Sequence, residues 1–253
     1  MKKFALSILA VSSLALTACG GGGSSEAVTG GQTNPTTPVV KPNQPSNPQP
    51  PVTTSQYTGK SAVINTKTNT DGDIVAISTD NINTLKVNGK TFTIGQSGIS
   101  SGTFSDINQK DLHTVISGTH MTHAKYGFVR DKNAQMEYYF YQGDQTPVAN
   151  IPKSGVVNYT GRSTYACEKC NGEHIKGTSK FTADFGKKTL TGNISNERAN
   201  VALNAKISGN TFSGKNSAGT QTEGAFFGKN AEEVSGIYLN NGQAFAGAFG
   251  AKK

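Results

Sequence analysis

Val201-Ala202-Leu203-Asn204-Ala205-Lys206-Ile207 decides the fold class. Val201, Leu203, Ala205 and Ile207 fall on one side of an extended chain, and Ala202, Asn204 and Lys206 fall on the other. A period of two fits a strand with one dry and one wet face; a helix would scatter the same residues around its axis. Gly209-Asn210 then turns the chain into Thr211-Phe212. Upstream, Phe181, Ala183 and Phe185 alternate with Lys180, Thr182 and Asp184, and Leu190 and Ile194 continue the pattern. Val156 to Tyr165 opens the series. Phe226-Phe227, Val234 to Leu239 and Gln243 to Phe249 close it, with Asn241-Gly242 as a tight-hairpin signal. Roughly eight short strands at this spacing predict an antiparallel barrel or sandwich.

Toward the N-terminus the pattern stays strand-like as far as Tyr57. Val63-Ile64 and Ile74 to Ile77 are short apolar runs between polar turns. Leu85 to Ile94 reads as a hairpin, because Asn88-Gly89 supplies the positive-φ pair of a type I′ turn. Further runs lie at 112–117, 126–130 and 137–141. No apolar stripe at helical spacing interrupts them, so the chain is expected to be all-β. This also accounts for a hydrophobic content of only 34%: a strand with one wet face shows every second residue to water. The same low figure argues against a helix-rich enzyme and a multi-span membrane protein.

Residues 1–18 read as an address. Lys2 and Lys3 are a positive start, Phe4 to Leu16 is apolar but too short to span a bilayer, and Leu16-Thr17-Ala18-Cys19 resembles a bacterial lipobox. Cys19 is the expected lipidation site. Gly20 to Gly23 follows it without an Asp, which suits the outer membrane. Residues 19–56 then read as a lipidated Cys and a disordered Gly/Ser/Pro-rich tether, holding seven of the nine prolines between Pro35 and Pro51. Twenty-four basic minus 16 acidic residues gives +8. Loss of Lys2 and Lys3 with the leader leaves +6, modest enough to exclude a polybasic nucleic-acid binder.

Chemistry-bearing residues concentrate in two places. His113, His120 and His123 fall within eleven residues, with Met121 and Tyr126 beside them. Imidazole, thioether and phenolate are haem-iron ligands, so this stretch is a candidate haem-binding loop. Lys125 and Arg130 are candidate partners for haem propionates. His120 and His123 are three apart, a spacing that puts them on opposite faces of a strand, and no metal site is expected. The second place is Cys167-Glu168-Lys169-Cys170. It could be a redox pair, half a zinc site with His174, or a disulfide; in an oxidising exterior the disulfide is the simplest reading. No catalytic constellation is present, so no enzyme is expected: G-x-S-x-G, H-E-x-x-H and Walker patterns are all missing.

Several segments together resemble the surface lipoproteins that include transferrin-binding protein B and factor H binding protein. Thr17-Ala18-Cys19 with its Gly-Ser run is one. Tyr138 to Pro147 and Ile151 to Gly161 are similar to the entry into that family's barrel, and Phe181 to Ile194 to a barrel hairpin. Gly224-Ala225-Phe226-Phe227-Gly228-Lys229-Asn230-Ala231-Glu232-Glu233-Val234-Ser235-Gly236 is similar to its phenylalanine-glycine turn, glutamate and final strand. The resemblance implies an N-terminal β-rich handle domain over 57–150 and an eight-stranded antiparallel C-terminal β-barrel over 151–253. It also implies delivery to the cell surface by an outer-membrane translocator. The chain is then expected to be a monomeric, lipid-anchored protein of the outer membrane. Its expected ligand is haem or a haem- or iron-carrying host protein; the alternative is a complement regulator bound for immune evasion. There is room for one lobe only, and the size is closer to factor H binding protein and the haem-binding hemophilins.

Overall fold

The computed structural model describes residues 56–68 and 72–253. The leader, Cys19 and the tether therefore lie outside the described residues. Sixteen strands are described, and the only helical elements among the described residues are three single 3₁₀ turns.

Six strands form an antiparallel sheet: β1 (Tyr57–Asn65), β2 (Asp73–Thr79), β5 (Phe104–Asn108), β6 (Leu112–Ser117), β7 (Ala124–Asp131) and β8 (Met136–Gly143). Their order is β2-β1-β8-β7-β6-β5. A hairpin of β3 (Thr84–Val87) and β4 (Lys90–Thr93) covers one face of this sheet. Asn88 and Gly89 both take positive φ, 49° and 73°, as a type I′ turn requires. Leu85, Val87, Phe92 and Ile94 pack there on Val129, Tyr138 and Phe140. The buried amide of Gln142 holds the hairpin in place, donating to the carbonyls of Ile82 and Thr84 at 3.0 Å each. Strand β5 escapes the sequence pattern, because Phe104 and Ile107 are its only apolar residues.

Strands β9 (Val156–Cys167), β10 (Ile175–Asp184), β11 (Thr189–Ser195), β12 (Asn200–Ser208), β13 (Thr211–Lys215), β14 (Gln221–Phe227), β15 (Glu233–Asn240) and β16 (Phe245–Lys252) close into a barrel, with β9 pairing both β10 and β16. Phe181, Phe212, Phe226, Phe249, Tyr159 and Tyr238 fill its interior. The Phe181 and Phe249 rings lie 4.4 Å apart. Strand β12 alternates buried and exposed at every position, as its sequence predicts.

Strands β15 and β16 depart from that rule. Every residue of β15 is buried, and so is every residue of β16 between its two ends. Their inner faces fill the barrel while their outer faces meet the six-stranded sheet. Ala166, Ala225, Ile237, Leu239, Ala246 and Ala248 of the barrel pack there against Ala62, Tyr126, Phe128, Tyr139 and Tyr141 of the sheet. Small residues on the barrel let the large aromatic rings of the sheet approach closely, and fully burying each ring contributes about 2–3 kcal/mol. The Asn241-Gly242 turn also differs from a simple two-residue hairpin. Asn241–Gln243 forms a 3₁₀ turn, and Ala244 is the residue with positive φ.

Candidate functional site

Loop Gly118–His123 joins β6 to β7 and lies on the seam between sheet and barrel. One barrel residue fastens it there. The Glu233 carboxylate, at the start of β15 and 1% exposed, accepts the backbone N–H groups of Thr122 (2.6 Å), His123 (3.0 Å) and Ala124 (3.1 Å). Lys252 lies 3.6 Å from the same carboxylate. Three oriented amides and one ammonium satisfy the charge that burial removes from water. On its other side the loop is tied to the chain before β5, through Thr119 N–H donating to the Ser101 carbonyl at 2.8 Å.

His120, Met121 and Tyr126 come together at this loop. The Tyr126 hydroxyl donates to the Arg162 carbonyl of β9 at 2.9 Å. His120 Nε2 lies 3.0 Å from the same hydroxyl oxygen and, with that proton committed, is the donor to it. The Tyr126 ring is fully buried and packs against Gly250: a Cβ on that glycine would sit 2.3 Å from the ring edge and 3.0 Å from the Met121 methyl. Burial pushes the Tyr126 phenol far above its ordinary range, so it is a neutral phenol. Burial also holds the His120 imidazole below its usual range and therefore neutral at pH 7. His123 is more open to water, with Nε2 3.3 Å from Glu232. Tyr126→Phe is expected to cost about 1 kcal/mol in chemical denaturation, the net worth of the hydrogen bonds that meet at its oxygen.

His113 belongs to a second cluster. Its Nε2 lies 2.9 Å from Asp106, whose other oxygen takes Lys176 of the barrel at 2.6 Å. Its ring meets the edge of His174, centroids 5.4 Å apart. His174 stacks on Phe128 at 3.4 Å, on the far side of the turn closed by Cys167 and Cys170, which are bonded to each other. That bond occupies both sulfurs, leaving no thiolate for a metal. Burial, reinforced by the nearby charge of Arg130 and by His113, drives the His174 pKa down to about 2. Arg130 clasps the Glu137 carboxylate through Nε (2.8 Å) and Nη2 (2.5 Å), and its Nη1 donates to the Gly172 carbonyl at 3.1 Å. Glu137 in turn accepts the Tyr139 hydroxyl at 2.7 Å. Arg130 is thus a strut between sheet and turn.

Lys125 stands apart from both clusters. Tyr126 and Phe128 of β7 face the barrel, so Lys125 points to the opposite side of the sheet. The candidate haem-contacting residues therefore divide: His120, Met121 and Tyr126 at the loop, His123 beside it, His113 in the second cluster, and Lys125 on the other face. Glu233 was not among them, although it holds the loop that carries His120, Met121 and His123. Its trace in the sequence is the glutamate of the Gly224–Gly236 segment, just ahead of a strand.

Residues 151–253, the barrel, match the sequence model for the C-lobe and N-lobe beta barrels of Tf-binding protein B. The barrel is of the transferrin-binding protein B type. A transferrin-binding protein B of Haemophilus influenzae is 26% identical over 175 residues, covering 54% of this chain and 28% of its own length. An uncharacterized Haemophilus influenzae protein is 41% identical over 142 residues, covering 52% of this chain. The chain spans about half the length of that relative, 48%, and a smaller share of the transferrin-binding protein. The sheet-plus-barrel plan also matches the haemoglobin receptor HpuA of Kingella denitrificans, with a TM-score of 0.53 at 14% identity, covering 78% of this chain and 86% of the receptor. The relatives named for a function are binding proteins rather than enzymes.

Proposed function

We propose that this chain is a surface-exposed outer-membrane lipoprotein that captures a host haem- or iron-carrying protein for nutrient acquisition. The observation that carries the reading is the barrel over 151–253, shared with transferrin-binding protein B. The lipobox at Cys19 and the Pro-rich tether supply the anchor and the leash. A protein ligand suits the seam better than bare haem does. His120 Nε2 and the Tyr126 hydroxyl already bond each other and the Arg162 carbonyl. Met121 is 7% exposed, and His113 is committed to Asp106. A haem iron would have to displace those bonds, whereas a protein surface can dock on the folded body as it stands.

The test is capture from human serum supplemented with haemolysate, using the full lipoprotein on beads, together with a haemin titration. Recovery of transferrin, haemoglobin or a haemoglobin complex, without a saturable Soret shift, is the expected result. A Soret shift abolished by His120→Ala or His123→Ala would move the reading to direct haem binding. Recovery of a complement regulator alone would replace it with immune evasion.

A further inference from the structure

Lys125 lies outside both histidine clusters. Its side chain is half-buried, yet among the described residues it has no hydrogen-bond or ion-pair partner. Other lysines of the sheet and its hairpin are matched: Lys60 with Glu223, Lys86 with Asp80, Lys90 with Asp131. Burial alone holds the Lys125 ammonium below the ordinary lysine range. A partly desolvated cation without a counter-charge is a cost that a folded chain normally relieves by pairing.

The surroundings say what would relieve it. Lys125 lines a groove of about 170 Å³ bounded by the 93–101 stretch, strands β5 and β6 and the first residues of the β6–β7 loop, Gly118, Thr119 and Met121. It is the one charged residue among the described residues lining that groove. Ile107 and Ile116 form apolar wall, the hydroxyls of Ser105 and Thr114 stand beside them, and Ile99 sits at the lip 52% exposed. Small-molecule sites usually measure about 300–1,000 Å³, so this groove has room for a side chain rather than a free ligand or a porphyrin.

We propose that this groove receives an acidic side chain of the captured host protein, its carboxylate on Lys125 and an adjoining apolar side chain of the partner against Ile99 and Ile107. The inference rests on the reading that the chain binds a host protein, and it gives that binding a contact on the sheet, bordered by Gly118, Thr119 and Met121 of the histidine loop. Charge complementarity selects the carboxylate, and the isoleucines shield the pair from water, which strengthens it.

Two experiments test it. The full protein, with isoleucine methyls labelled, is titrated with N-acetyl-leucyl-glutamyl-leucinamide and with its glutamine analogue. Saturable shifts of the Ile99 and Ile107 methyls with the glutamyl peptide only, lost in Lys125→Met, are expected. Equal shifts with both peptides, or none, overturn the proposal. In serum capture, Lys125→Glu is expected to weaken binding of the identified host protein about thirtyfold, the scale for losing a desolvated charge pair. Undiminished capture by a folded Lys125→Glu variant overturns the groove while leaving the host-protein reading intact. If the unaltered protein captures no host protein, that reading fails and the peptide titration alone decides the groove.

Discussion

Replacing Glu233 with alanine is expected to destabilise the protein by about 3 kcal/mol and to free the histidine loop. The carboxylate lies inside the seam and accepts three consecutive backbone amides, at 2.6, 3.0 and 3.1 Å. Alanine removes the acceptor and leaves Thr122, His123 and Ala124 donating to nothing. Each buried, unsatisfied polar group costs about 1–3 kcal/mol, partly offset here because two of the three amides can reach water once the loop shifts. Glu233→Gln should cost less, since its carbonyl oxygen still accepts one or two of the bonds while its NH₂ faces donors. The measurements are chemical denaturation, with an unchanged m-value, and hydrogen exchange at 119–124, where protection should collapse in the alanine variant. A Glu233→Ala protein with unaltered exchange in that loop would show that the loop is held by something else. Any haem or protein contact made by His120 or His123 should weaken in step with the lost protection.

How much of this could be read from the sequence depended on how many faces each strand buries. Strand β12 was legible because one face is wet, so Val201 to Ile207 carries its own periodicity. Strands β15 and β16 carry none: in Phe245-Ala246-Gly247-Ala248-Phe249-Gly250 both faces are covered, and size replaces polarity as the signal. Gly250 is bare because Tyr126 lies on it, a partner more than a hundred residues away in the chain. Strand β5 was missed since a short edge strand needs few apolar residues. The Cys167-Cys170 turn was readable from spacing and compartment. The candidate haem-contacting residues were picked for chemical type within a short window, but strand alternation separates Lys125 from Tyr126, and that much was available from the period of two. The Gly224–Gly236 segment marked a glutamate before a strand, but the hold of Glu233 on the loop was not available in any local pattern, because it exists only when the β6–β7 loop reaches β15.

Acidification from pH 7 to about pH 4.5 is expected to remove about 2–3 kcal/mol of stability, chiefly through His174. The groups facing it are Phe128 and Arg130 on β7, His113 on β6, Asp106 on β5 and Tyr139 on β8. Burial, then the neighbouring Arg130 and His113, keeps the ring neutral in the fold down to about pH 2, whereas in the unfolded chain it takes a proton near pH 6.5. Below pH 6.5 the unfolded state therefore binds the proton that the folded state refuses. Stability is full above about 6.5 and falls with decreasing pH at up to about 1.4 kcal/mol per unit. His120 adds to the same slope, its imidazole also lowered by burial. Asp106 does not compensate. Burial raises its carboxyl, but hydrogen bonds from Lys176 and His113 outweigh that and hold it below the ordinary carboxylate range, so it stays ionised through this window. All four histidines sit where sheet meets barrel, so the loss is expressed at the seam rather than inside the barrel. Denaturation midpoints measured from pH 7.5 to 4.5 should fall below pH 6.5 in the unaltered protein. They should flatten substantially in His174→Phe, whose ring can keep the stack on Phe128 without a titrating nitrogen. An equal slope in both proteins would assign the acid sensitivity to groups other than His174.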